Sequence, residues 1–110
     1  MTDRELLELA AKAAGNGAHW DDEYQRMQMD YSHKGGTNLE EWNPLTDDGD
    51  ALRMAVMLRM NVSSWGSGAS AIVSAGDDVL LAEPHYGDDP CRATRRAITR
   101  AAAEIGRNMP

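Results

Sequence analysis

The chain has 110 residues, a length typical of one domain with a single modest core, and it carries a formal net charge of −7 at pH 7. That charge argues against a general nucleic-acid binder, because such proteins present a basic surface to phosphate groups. The single cysteine, Cys91, excludes an internal disulfide framework and is typical of a reducing compartment such as the cytoplasm.

The apolar residues predict a thin core. Leu, Ile and Val together number 16 and Phe is absent, so Ala, Met and Trp must supply much of the buried surface. No run of residues is apolar and long enough to predict a membrane span, and the acidic start of the chain does not resemble a secretory signal. We therefore expect one cytoplasmic domain over residues 1–110, with no membrane partner.

Residues 2–14 predict the first helix. Thr2 and Glu5 have the spacing of a capping box, in which a hydroxyl and a carboxylate satisfy the exposed amides of the first turn. Apolar residues follow at helical spacing, and Gly15 opens the Gly-Asn-Gly sequence that ends the helix.

Residues 18–31 are rich in strand-forming side chains and predict a hairpin with its turn at Asp21 and Asp22. The polar and apolar alternation from Tyr24 onward predicts a half-buried second strand. Residues 32–41 contain glycines and almost nothing to bury, which predicts a mobile loop.

Two proline-marked acidic turns, residues 43–50 and 83–90, each precede a predicted helix. In the first, Thr46 is the expected N-cap of a helix over residues 47–60, and the aspartates of the turn lie at the positive end of the helix dipole. The apolar arc of this helix is broad, which predicts that the helix lies between other elements.

Residues 61–83 predict a second sheet region, with a short edge strand at 62–65 and a hairpin that turns at 75–78. A third helix over residues 89–108 follows, with Asp89 as its N-cap. The elements together predict an α+β fold in which three helices pack on a small, mostly antiparallel sheet, in the order α-β-β-α-β-β-α.

Few residues point to chemistry. The three histidines have no ligand spacing and the acidic turns lack the pattern of a calcium loop, so neither a metal nor a cofactor is expected. Cys91 lies at the start of the last helix beside acidic residues that disfavour a thiolate, which favours a small semi-buried structural role. The alternative is a small enzyme that uses His85, Asp88 and Cys91.

The last helix carries five of the eleven basic residues. Arginines recur there at i, i+4 and i+8 and predict an exposed basic stripe. A solvated face explains this stripe, but so does a surface that binds an acidic protein, with tryptophans as anchors. The candidate partner surface comprises Trp42, Trp65, His85, Tyr86, Arg92, Arg96 and Arg100.

Residues 1–15, 42–53, 83–85 and 88–98 resemble small bacteriophage and prophage proteins grouped as the phage ABA-sandwich domain. These segments cover about half the chain and include all three predicted helices. The resemblance implies an α/β sandwich of prophage origin, and it implies no activity, ligand or catalytic residue.

The function expected from these observations is that of a non-enzymatic phage accessory protein that binds a host or phage protein and does not bind nucleic acid directly. Besides the small enzyme, an acidic nucleic-acid mimic stays open as an alternative. Such a mimic requires carboxylates spaced like phosphates along one face.

Overall fold

The computed structural model of the chain describes residues 1–30, 39–65, 68–73, 79–84 and 89–110, with the backbone alone for residues 30, 65, 68–73 and 79–84. The elements are α1 (Asp3–Ala14), β1 (His19–Asp21), β2 (Arg26–Asp30), β3 (Leu39–Glu41), α2 (Asp48–Met57), β4 (Met60–Trp65), β5 (Gly68–Val73), β6 (Val79–Pro84) and α3 (Pro90–Arg107). The predicted α+β class is confirmed. Between α1 and α2 the structure has three strands instead of the predicted two. Between α2 and α3 it also has three, which the order α-β-β-α-β-β-α undercounts although the edge strand and the hairpin are each predicted.

The strands form two antiparallel sheets of three strands each, in the orders β1-β2-β3 and β4-β5-β6. In the second sheet, β4 pairs with β5 from Met60 opposite Val73 to Trp65 opposite Gly68, and β6 pairs along the other side of β5. The predicted second hairpin is therefore confirmed as β5 and β6, and its connection, residues 74–78, lies outside the described residues. The predicted edge strand is confirmed as β4, which begins earlier than expected.

Helix α1 follows its sequence signals. The Thr2 hydroxyl accepts a hydrogen bond from the Glu5 amide at 3.2 Å, and it donates to the Glu5 carboxylate at 3.3 Å. Gly15 ends the helix in the left-handed region, at a φ of 63° that glycine adopts without strain. The predicted first helix is confirmed.

The predicted bounds of α2 are wrong at both ends. Its N-cap is Asp47 rather than Thr46, because the Asp47 carboxylate accepts the Asp50 amide at 2.7 Å. The helix ends at Met57, before the predicted residue 60, and Arg59 then has a φ of 56° that turns the chain into β4. A helix that reached residue 60 would prevent Met60 from pairing with Val73 in the second sheet.

The first hairpin exists, but its predicted turn is wrong. Asp21 still belongs to β1, where it pairs with Arg26, and the four residues between them form the turn. Gln25 has a φ of 52°, and Tyr24 is an exposed turn residue rather than the start of a half-buried strand. The alternation that predicts a strand begins only after this turn.

The loop predicted over residues 32–41 is wrong at its end, where β3 forms and pairs with β2. Residues 31–38 lie outside the described residues. The Trp42 amide, directly after β3, donates to the Met27 carbonyl at 2.9 Å. Since Trp42 is also buried, this anchor holds the preceding residues alongside β2.

Helix α3 connects the other two helices to the second sheet. Its predicted N-cap is confirmed, because the Asp89 carboxylate accepts the Arg92 amide at 2.9 Å. The helix contacts α1, α2 and all three strands of the second sheet, which is possible because most of its buried residues are small. Those residues are Ala93, Ala97, Ile98, Thr99, Ala101, Ala102, Ala103 and Gly106.

One hydrophobic core joins the three helices to the first sheet. Alanines of α1 and α3 interlock at its centre, and Met54 of α2, Met27 of β2 and Trp42 complete it. At Gly106 the helices α1 and α3 approach so closely that a Cβ atom would overlap the Leu9 carbonyl. Small side chains therefore compensate for the scarcity of large aliphatic ones through close helix packing.

Candidate functional site

The structure separates the residues that the sequence groups as a partner surface. Trp42, predicted as an exposed anchor, is 3% exposed and belongs to the core, so this prediction is wrong. For Trp65 the structure describes the backbone only, at the end of β4. His85 and Tyr86 lie outside the described residues.

The arginine stripe is present on α3, although it is less exposed than expected. Arg92 is exposed, whereas Arg96 and Arg100 are half-buried. Arg96 and Arg100 line a groove of about 330 Å³ between α3 and the start of α1. We call this the arginine groove, and its lining residues are Met1, Leu6, Arg96, Arg100, Ala103, Glu104 and Arg107.

Carboxylates of the same chain lie near two of these arginines. Arg96 is 3.8 Å from the Asp3 carboxylate, and Arg107 is 3.6 Å from that of Glu104. Both distances exceed the 2.7–2.9 Å or so of a charge-assisted hydrogen bond, so each contact is an ion pair without a short bond. The groove thus combines three guanidinium groups with a smaller apolar part, to which Met1, Leu6 and Ala103 contribute.

Arg95, the remaining internal arginine of α3, has a structural role. Its side chain is only 17% exposed and donates to the Leu45 carbonyl at 2.9 Å and to the Asp48 carboxylate at 2.7 Å. These bonds join α3 to the turn that precedes α2. The sequence gives no sign that Arg95 differs from its neighbours, because the difference depends on which helix faces that turn.

The first acidic turn is structural in the same way. Asp50, expected only to complement the helix dipole, is buried and accepts the Asn43 amide at 3.0 Å and the Arg53 guanidinium at 2.7 Å. The Asp47 carboxylate caps α2. These bonds assign local roles to the acidic groups of this turn and leave Asp50 inaccessible to a ligand.

A second groove, of about 440 Å³, lies between α2, β4 and the start of α3. We call it the apolar groove, and its lining residues are Asp48, Ala51, Leu52, Val62, Ser64, Pro90, Cys91, Thr94, Arg95 and Ile98. The expectation that α2 is enclosed by other elements is wrong here, because Leu52 and Val56 on this helix are exposed.

Cys91 lies at this second groove and is exposed, not semi-buried as the sequence indicates. The other two residues of the enzyme alternative, His85 and Asp88, lie outside the described residues. Within the part of the chain that the structure describes, no three His, Cys, Asp or Glu side chains come together as a metal site requires. No helix in that part has the length and apolar character needed to cross a bilayer.

Comparison with known proteins does not assign the chain to a family. No protein-family model, no curated protein and no solved structure matches the chain. The resemblance to phage ABA-sandwich proteins therefore stays a prediction, and a functional proposal must depend on the two grooves themselves.

Proposed function

We propose that the protein is a non-enzymatic binding protein that holds an acidic segment of another protein in the arginine groove. The observation that carries this proposal is the convergence of Arg96, Arg100 and Arg107 on one groove in a chain whose net charge is −7. A guanidinium group binds a carboxylate through two parallel charge-assisted hydrogen bonds, which supply both orientation and affinity.

Two ion pairs of these arginines are weak enough for an incoming carboxylate to replace. The Asp3 and Glu104 carboxylates are at least one-third exposed and lie at 3.8 and 3.6 Å, so their ion pairs contribute little to stability. A partner carboxylate that forms shorter bonds can replace them at small cost. Met1, which is 61% exposed, adds apolar contact for the aliphatic part of an aspartate or glutamate side chain.

The kind of partner and the compartment in which it is bound are also part of the proposal. The resemblance to phage proteins implies a host or phage protein as partner, in the bacterial cytoplasm. A protein partner is preferred to nucleic acid because the acidic surface of the chain repels a polyanion that extends beyond the groove. An acidic peptide is short enough to contact the groove alone.

The proposal can be tested by the fluorescence anisotropy of a dye-labelled oligoglutamate peptide titrated with the protein. We expect saturable binding that weakens as salt is added, since exposed charges are screened. The double substitution Arg100→Gln and Arg107→Gln should raise the Kd at least about tenfold, equivalent to ~1.4 kcal/mol. Circular dichroism of the variant reports whether the fold is retained.

Arg59→Gln combined with Arg92→Gln is the matched control, because it removes the same two charges from exposed arginines that do not line the groove. It should leave the peptide affinity nearly unchanged. Equal weakening by the control and the double variant would show that only net charge matters. Tighter binding of a single-stranded RNA of the same charge would contradict a protein partner.

A further inference from the structure

Strand β4 has an edge without the features that protect sheet edges. Its six residues, Met60–Trp65, include no charged residue and no proline, which are common means of preventing edge-to-edge association. On one side β4 pairs with β5, and no other described strand pairs with its outer side. Residues 61–64 are exposed.

Large apolar side chains lie beside this edge. On α2, Leu52, Val56 and Met57 are 64%, 67% and 58% exposed, and Val62 on β4 is 40% exposed. Leu52 and Val62 also line the apolar groove, so the exposed residues continue into a concavity. Apolar surface of this kind, next to a strand edge with which no described strand pairs, is typical of a protein interface.

We propose that β4 and the exposed apolar side of α2 bind a second copy of this chain through antiparallel β4–β4 pairing. In symmetric antiparallel pairing each residue lies opposite one whose side chain is on the same face of the sheet, so a two-fold axis at residue 63 places Ser63 of one copy opposite Ser63 of the other. The same surface then serves both copies, as in the isologous dimers that predominate among oligomers. The two second sheets become one continuous sheet of six strands.

The charges of α2 agree with a second copy as the occupant. Asp48, at the start of α2, and Ser64, near the end of β4, both line the apolar groove, while Arg59 directly precedes Met60 at the start of β4. Helix and strand therefore run in opposite directions. A two-fold axis through β4 brings Arg59 of each copy toward the acidic start of α2, at Asp47 and Asp48, in the other.

This inference does not depend on the proposed function. The arginine groove and the apolar groove have no lining residue in common. Pairing through β4 thus leaves the proposed acidic-peptide site accessible in both copies, and either proposal can fail without the other.

Sedimentation velocity across a concentration series tests the proposal with the full chain. The unsubstituted protein should form dimers as its concentration rises. Leu52→Lys should raise the dimer Kd at least about tenfold, because a charge would replace a leucine that is exposed in one copy and covered in the dimer. Leu39→Lys is the matched control, since Leu39 is 53% exposed in β3 of the other sheet and should not affect the dimer.

Cross-linking tests the register. In a Cys91→Ser background, Ser63→Cys should form an intermolecular disulfide under mild oxidation, because the two copies of residue 63 lie next to the two-fold axis. Leu39→Cys in the same background should not. Arg59→Asp should also weaken the dimer.

A monomer at every accessible concentration would overturn the proposal. So would a dimer that Leu52→Lys and Leu39→Lys weaken equally, or one whose disulfide forms as readily from residue 39 as from residue 63. Far-ultraviolet circular dichroism of each variant separates loss of dimer from loss of fold.

Discussion

At the scale of single residues, identical side chains in this protein acquire different roles from their surroundings. Arg95 and Arg96 are neighbours on α3, yet Arg95 donates to Leu45 and Asp48 and is mostly buried, whereas Arg96 lines the arginine groove. Asp48 and Asp50 differ likewise, because only Asp50 is buried against the turn that precedes α2. Such differences arise from the elements that each side chain faces.

Gly106 provides a test of the close contact between α1 and α3. Gly106→Ala should destabilise the protein by about 2 kcal/mol or more, because the new Cβ overlaps the Leu9 carbonyl and the two helices must separate. The helix propensity of alanine returns only about 1 kcal/mol of this loss. Urea denaturation measures the difference in the free energy of unfolding.

Gly49→Ala is the matched control within α2. Its nearest neighbours are the ends of the Arg53 and Asp47 side chains, at 3.1 and 3.2 Å, and a shift of a few tenths of an ångström accommodates the new Cβ without breaking the Asp47 cap. The control should be close to neutral. Equal destabilisation by both substitutions would mean that helix contact at Gly106 is not the cause.

At the scale of elements, the helices agree with their sequence signals better than the strands do. Proline, glycine and acidic residues mark the helix ends locally, and each predicted helix is present. Strand β3 has no such signal. Its position depends on a distant contact, because Trp42, directly after β3, is anchored to Met27 of β2. The start of α2 lies between these cases, because Thr46 and Asp47 are both good N-caps and only the geometry of the turn selects Asp47.

The selection of the α2 cap can be tested directly. Asp47→Ala should lower the free energy of unfolding by about 1 kcal/mol, because the Asp50 amide loses its acceptor. Thr46→Ala should cost clearly less, since the Thr46 hydroxyl makes only a 3.5 Å contact with the Asn43 carbonyl. Thermal unfolding of the two variants under the same conditions compares them, and a larger effect of Thr46→Ala would reverse the assignment.

At the scale of the whole molecule, one core connects the first sheet to all three helices. Trp42 and Met27 contribute its largest side chains from the first sheet, and alanines contribute most of the helical side. Because the core is continuous, we expect the first sheet and the three helices to unfold together.

Trp42→Ala tests this expectation. The substitution should cost about 3–5 kcal/mol, as for other buried aromatic residues, out of a total near 5–15 kcal/mol for a small domain. The variant should be largely unfolded or marginally stable, with one cooperative transition in urea. Trp20→Ala is the control and should cost less, because Trp20 is half-buried and contacts the exposed Arg4. A mild effect of Trp42→Ala would contradict the position of Trp42 in the core and favour the exposed position that the sequence indicates.

The sequence by itself determined the α+β class, the presence of three helices and the location of the second hairpin. These features depend on short-range signals such as the caps at Thr2 and Asp89, the glycine after α1 and the alternation on either side of a turn. Short-range signals act between residues a few positions apart, so they can be read from the chain.

Only the tertiary structure decided which residues are available to a partner. It placed Trp42 in the core, used Arg95 to join two elements and left Leu52 and Val56 exposed beside β4. Burial depends on which elements pack together, and this packing arises from contacts between residues far apart in sequence. The arginine groove and the apolar groove are consequences of that packing around α3.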